Sequence, residues 1–173
     1  YHRDESITYG MDYIFSGGVD SSHADDEDTM RSTGGWFFNL GKGQGCVAAK
    51  SGQTADVALS STESETIWVS SAATQGAYMK QFIDELAIFK TVTFELLEDS
   101  QPAINAQKRN VSQSKFRHIK TKYHYVRQLI YEGWAKLVKI STKDQIADMA
   151  TKVLSAPVVQ KFTRIILGHS HPP

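Results

Sequence analysis

The chain has 173 residues, of which 40% are apolar and 22% charged, with four prolines and equal numbers of acidic and basic side chains, 19 of each. These values describe one folded domain with its own core and exclude fibrous, low-complexity and disordered classes. No apolar run approaches the roughly 18 residues of a membrane helix, so no membrane partner is expected.

The single cysteine, Cys46, has no internal partner and lies in an apolar run. It reads as a small core residue in a reducing compartment. The N-terminal segment is polar and mixed in charge, unlike a secretory signal, and the expected location is intracellular, in cytoplasm or nucleus. Charge is sorted along the chain. Eight acids and no Lys or Arg fall between Asp4 and Asp28, whereas Lys108, Arg109, Lys115, Arg117, Lys120, Lys122 and Arg127 fall in an acid-free stretch from Ser100 to Tyr131. Such sorting suggests an acidic locus for metal and a basic one for a polyanion.

Residues 1–12 read as a linker remnant, with a short edge strand at Ile7-Thr8-Tyr9 as the alternative. A first strand opens at Tyr13-Ile14-Phe15 and ends at Val19-Asp20, with Gly17-Gly18 weakening it or marking a bulge. A loop over 21–35 leads to a second strand at 36–40, a glycine turn at 41–45 and a third strand at 46–49, together an antiparallel meander. Ser60 with Glu63, or Thr62 with Glu65, would form a capping box. Trp68, Ala72, Met79, Phe82, Ile83 and Leu86 then follow at the spacing of a long amphipathic helix. A fourth strand spans 91–97 with Asp99 at its end, and Pro102 suits the first turn of a helix carrying Ala103, Ile104 and Ala106. Ile119, Tyr123, Val126 and Ile130 mark another helix, stopped by Gly133. The fifth strand is placed at 134–140, after which Thr142 with Gln145 caps a short helix bearing Ile146, Met149, Ala150 and Val153. A last helix after Pro157 uses Val158, Phe162, Ile165 and Ile166, and the tail from Gly168 reads as disordered. The order predicts an α/β fold, a mixed sheet with helices packed on it. All three tryptophans, Trp36, Trp68 and Trp134, fall on core periodicities.

Asp20 and Asp99 end strands, and Asp148 lies on a helix directly after one. Acids at adjoining strand ends of an open α/β sheet converge in one crevice, and Glu65 in the first turn of the long helix is the natural fourth. Four close carboxylates raise one another's pKa unless cations neutralise them. Oxygen-only ligands favour Mg²⁺ or Mn²⁺.

Five segments carry a family resemblance: Val19-Asp20 with Arg31-Ser32-Thr33-Gly34-Gly35, Ala58-Leu59-Ser60-Ser61-Thr62-Glu63-Ser64-Glu65, Glu98-Asp99-Ser100-Gln101-Pro102-Ala103-Ile104, His118-Ile119-Lys120 with Tyr123-His124-Tyr125-Val126-Arg127, and Asp144-Gln145-Ile146-Ala147-Asp148-Met149-Ala150-Thr151-Lys152. In this order the chain resembles the ribonuclease H domain at the C-terminal end of copia-type LTR retrotransposon Pol polyproteins. The resemblance implies a ribonuclease H-like mixed five-stranded sheet, a three-strand meander plus parallel strands, in a domain over 13–154 followed by a C-terminal helix and tail over 155–173. It implies Asp20, Glu65, Asp99 and Asp148 as catalytic ligands of two Mg²⁺ or Mn²⁺ ions, and Glu65 over Glu63. The implied activity is hydrolysis of the RNA strand of RNA/DNA hybrids, with a reverse transcriptase domain or larger assembly as partner. Oligomeric state is not legible.

The substrate handle is the basic segment Lys115, Arg117, His118, Lys120, Lys122 and Arg127, together with Ser100 near Asp99. Lys, Arg and backbone N–H groups would contact phosphates without sequence selectivity, and 2′-hydroxyl contacts would select RNA. His118 and His124 read as surface or phosphate-contacting groups. Departures from the family pattern are Ser21-Ser22-His23 in place of Ala-Asp-Trp, Ser100 in place of Asn, and Cys46-Val47-Ala48-Ala49-Lys50 in place of Ser-Trp-Lys-Ser-Lys. They imply a diverged copy with reduced activity. The alternative is a weak or inactive module of the same fold, retained to bind nucleic acid or protein.

Overall fold

The computed structural model describes residues 12–41, 45–87, 89, 91–108 and 117–169. The expected Ile7-Thr8-Tyr9 edge strand, most of the glycine turn and the end of the tail lie outside these residues. Strands β1 (Asp12–Ser22), β2 (Thr33–Asn39) and β3 (Cys46–Gln53) form the antiparallel meander. Strand β4 (Thr91–Glu98) pairs parallel with β1, and β5 (Lys136–Lys139) pairs parallel with β4. The sheet order is therefore β3-β2-β1-β4-β5, as the mixed-sheet reading expects.

Helix α1 (Ser61–Glu85) packs on β1, β2 and β4, and α2 (Gln101–Lys108) and α3 (Arg117–Tyr131) pack beside it. The start of α1 settles which capping box forms: Ser60 Oγ accepts from Glu63 N–H at 3.2 Å, and Glu63 Oε2 accepts from Leu59 N–H at 3.0 Å. The core lies between α1 and the sheet. Phe15, Phe38 and Phe94, from three neighbouring strands, stand with ring centroids 5.2 to 5.8 Å apart, and Ala72, Ala73 and Gly76 let α1 lie close over them.

Gly17 marks no bulge, because β1 pairs continuously with β2 from Ser16 to Ser22. Instead it makes room for Phe38, whose ring a Cβ would meet at 2.1 Å. Gly76 does the same for Phe94, at 2.0 Å. Valine at position 76 should therefore overpack the aromatic cluster at a cost of about 2–3 kcal/mol. The measurement is urea unfolding: the midpoint should fall at constant slope, and an unchanged midpoint would show that the Phe94 ring yields freely.

Four readings need correction. The segment after β5 is not one short helix but two 3₁₀ turns, Thr142–Asp144 and Ile146–Ala150, capped by Ser141 and Gln145 side chains. Val153 lies beyond them, fully exposed. Phe82 and Leu86 are exposed, with Ile83 taking the buried position at the end of α1. Trp134 sits at the surface beneath the Lys80 ammonium, 5.4 Å from its ring centroid, and Cys46 is only partly buried. Helix α4 (Ala156–Ile166) begins around Pro157 as expected and buries Phe162.

Candidate active site

Parallel β1 and β4 place their C-terminal ends side by side at the sheet centre, where open α/β sheets bind ligands. Asp20 stands near the end of β1, opposite Gly35 of β2, and Asp99 directly follows β4. Glu65 lies on α1 just past its first turn. Its rival Glu63 is engaged in the helix cap, whereas Glu65 is buried within electrostatic reach of Asp20, Asp99 and Glu98.

Asp148 reaches the cluster through a chain of local ties. The fully buried Gln145 donates from Nε2 to the Val19 carbonyl at 2.8 Å, and its Oε1 accepts from Ala147 N–H at 3.3 Å. One side chain thus both caps the second 3₁₀ turn and ties it to β1 beside Asp20. Ser51 Oγ donates to the Ala150 carbonyl at 2.7 Å and ties the other end of the turn to β3. Lys152 then closes the pair, its ammonium 2.8 Å from Asp148 Oδ1 and 3.1 Å from Asp20 Oδ2. Thr151 Oγ1 donates to the same Asp20 oxygen.

A buried cluster of acids has to limit its own charge. Burial pushes the Asp20 carboxyl up, the Thr151 and Lys152 contacts pull it down, and Asp148 pushes it up again. Burial and then the charge of Glu98, Asp20 and Asp99 raise Glu65 to about 9. Glu98, fully buried, rises to about 8, chiefly through desolvation. Burial works against the Lys152 charge, but its bonds to Asp148 and Asp20 outweigh this and hold its pKa above the ordinary lysine value.

Lys152, Gln145, Thr151 and Glu98 were not among the expected site residues. Lys152, Gln145 and Thr151 lie inside the Asp144-to-Lys152 motif, but their roles depend on contacts with Val19 and Asp20, more than a hundred residues away. Glu98 carries a readable signal, since it continues the buried alternation of Val92, Phe94 and Leu96.

Among the described residues, no three His, Cys, Asp or Glu side chains are gathered tightly enough to hold a metal ion as they stand. The donor chemistry nevertheless fits a hard divalent cation, for which carboxylate oxygens are the normal ligands. Glu65 Oε2 and Glu98 Oε2 are buried with no hydrogen-bond partner among the described residues. Orphaned carboxylate oxygens in an acid cluster are what an added cation satisfies.

The substrate-side expectations divide. Ser100 caps α2: its Oγ accepts from Ala103 N–H at 3.3 Å, and its N–H donates to Glu98 Oε1 at 2.8 Å. Arg127 and His124 line an open hollow of about 570 Å³ with Gln107 and Gln128, and Lys122 lies on α3. Arg117, His118 and Lys120 open that helix, though their side chains, like the whole of Lys115, lie outside the described residues.

No family model matches the chain. A relative among curated proteins is the retrovirus-related Pol polyprotein from transposon TNT 1-94 of Nicotiana tabacum, 30% identical over 162 residues, covering 94% of this chain and 12% of the relative. The chain thus spans about a tenth of the length of the curated relatives it matches. Among solved structures, ribonuclease H1 of the archaeon Halobacterium salinarum aligns with a TM-score of 0.52 at 15% identity over 82% of this chain and 95% of that one. LC11 ribonuclease H1, solved in complex with an RNA/DNA hybrid, aligns with a TM-score of 0.56 at 16% identity over 80% and 93%.

Proposed function

We propose that the chain, which is similar to a stretch of retrotransposon Pol polyproteins and shares its fold with ribonucleases H, is a metal-dependent endonuclease that hydrolyses the RNA strand of RNA/DNA hybrids. The observation that carries this reading is that Asp20 and Asp99 stand at the adjoining ends of β1 and β4, with Glu65 in electrostatic reach of both, its Oε2 unsatisfied among the described residues, and Asp148 tied to Asp20 through Lys152. These four would hold two Mg²⁺ or Mn²⁺ ions, which when bound supply charge stabilisation to the attacking and leaving oxygens of an in-line phosphodiester displacement.

The chain's own residues supply orientation. Gln145 fixes the Asp148 turn against β1, and Lys152 bridges Asp20 and Asp148. The Ser100 cap fixes the chain that leaves Asp99, because its N–H and Oγ lock the turn into α2. The hybrid's phosphates would lie along α3, contacting Lys115, Arg117, His118, Lys120, Lys122 and Arg127, with Ser100 beside the cleaved strand. The hybrid-bound LC11 enzyme supports this substrate through its shared fold. The Pol polyprotein relative, of which the chain spans 12%, supports a larger assembly as partner; a reverse transcriptase domain in that assembly and an intracellular setting are part of the proposal.

One observation favours a second reading, a module that binds hybrid without cutting it: the Lys152 ammonium already lies between Asp20 and Asp148. Incubating the purified chain with an end-labelled RNA/DNA hybrid, with Mg²⁺, with Mn²⁺ and with chelator, separates the two. The expected result is cleavage of the RNA strand only when metal is present, with the matching DNA duplex left intact. Binding of hybrid without cleavage under either ion would overturn the enzyme and leave the module.

A further inference from the structure

Strand β4 alternates cleanly, with Val92, Phe94 and Leu96 buried against α1. The next residue on that face is Glu98, with 0% of its surface exposed. Burying a carboxyl group there is unfavourable unless its oxygens are satisfied. Oε1 is, by Ser100 N–H at 2.8 Å. Oε2 has no partner among the described residues, and neither does Oε2 of Glu65, the buried helix residue on which Glu98 exerts the largest charge effect.

We propose that Glu98 is a fifth cation-binding carboxylate, which shares a divalent ion with Glu65 on the buried side of the cluster. This rests on the metal-dependent reading above and extends it to a residue outside the four acids. Two buried carboxyl groups whose Oε2 atoms both lack a partner among the described residues can share a proton or a cation. Protons can neutralise both groups, but they leave each Oε2 without a partner among the described residues. A divalent cation neutralises both and uses both free oxygens. The Lys152 charge acts on Glu65 less than any of the three acids do, and its two short bonds go to Asp20 and Asp148.

The test is titration of Mn²⁺ alone into the chain and its Glu98→Gln variant by calorimetry, with thermal melts in parallel. Glutamine keeps the shape and the acceptor for Ser100 N–H. The variant should bind Mn²⁺ about tenfold or more weakly and lose most of the Mn²⁺-dependent rise in Tm, while its metal-free Tm at neutral pH does not fall. If glutamine prevents folding, Glu98→Met takes its place in the same comparison. Equal Mn²⁺ affinity in wild type and variant would overturn the role of Glu98 and leave the four-acid reading intact. No Mn²⁺ binding by the wild type would overturn both.

Discussion

Asp99→Asn should slow hybrid cleavage by about 10²-fold or more while leaving the metal-free fold at least as stable as the wild type. Asparagine keeps the shape of the side chain and removes its charge. A ligand charge acting through a metal on a phosphoryl oxygen contributes several kcal/mol, and each 1.36 kcal/mol is a factor of ten in rate. On the stability side the charge is a burden, because Asp99 is one of the groups that push up both Glu65 and Glu98. The Lys139 ammonium donates to the Asp99 backbone carbonyl, a bond the substitution does not touch. Cleavage rates with Mg²⁺ and melts in chelator check the two halves separately. Unchanged cleavage would remove Asp99 from the chemistry, and a clear fall in metal-free Tm would make it a structural residue.

The sheet was legible because its signals are local. Period-two patterning and glycine turns mark three short antiparallel strands, and the run from Thr91 to Leu97 stands alone between two helical patterns. The long helix was legible down to its cap, since Ser60 and Glu63 interact within four residues. What failed was decided at long range. Nothing near Phe82 says that Ile83 will win the core position, because that depends on how α1 lies across the sheet. The short helix after β5 resolves into 3₁₀ turns because Gln145 is drawn to Val19, 126 residues earlier in the chain.

The site divides the same way. Asp20, Asp99 and Asp148 are legible from their places at or just after strand ends and Glu65 from the start of the long helix, and the motifs pick out the same four. In the sequence Lys152 is only the last letter of a motif, because a lysine four residues after an acid looks like an ordinary helical ion pair. Its second bond, to Asp20, is what makes it part of the cluster. Glu98 is hidden in the sequence by its neighbour Asp99, although strand alternation alone puts it inside.

The metal-free chain should lose stability as pH rises from about 5 to about 9, and Mn²⁺ should cancel much of that loss. Glu65 and Glu98 have an ordinary value of 4.5 and are raised in the fold to about 9 and about 8. Between those values the folded chain binds more protons than the unfolded one, so unfolding releases protons and stability falls with rising pH. The contribution is fully present below pH 4.5 and is lost as pH passes through 8 to 9. Each tenfold displacement in proton affinity is worth about 1.4 kcal/mol, or about 3–6 °C in Tm for a domain of this size. Asp26 works in the opposite sense, since hydrogen bonds from Gln53 and Thr29 hold its carboxyl at about 2. Its contribution is lost only as pH falls below about 4, outside the window. Melting in chelator across this range therefore reads the buried pair, together with Asp20, which burial raises in the same sense. Adding Mn²⁺ at pH 8 should raise Tm more than at pH 5.5, because at the lower pH the ion must displace protons to bind. A metal-free Tm that is flat or rising from pH 5 to 9 would show that Glu65 and Glu98 are ionised without strain, and would remove the buried charge on which the proposed cation site rests.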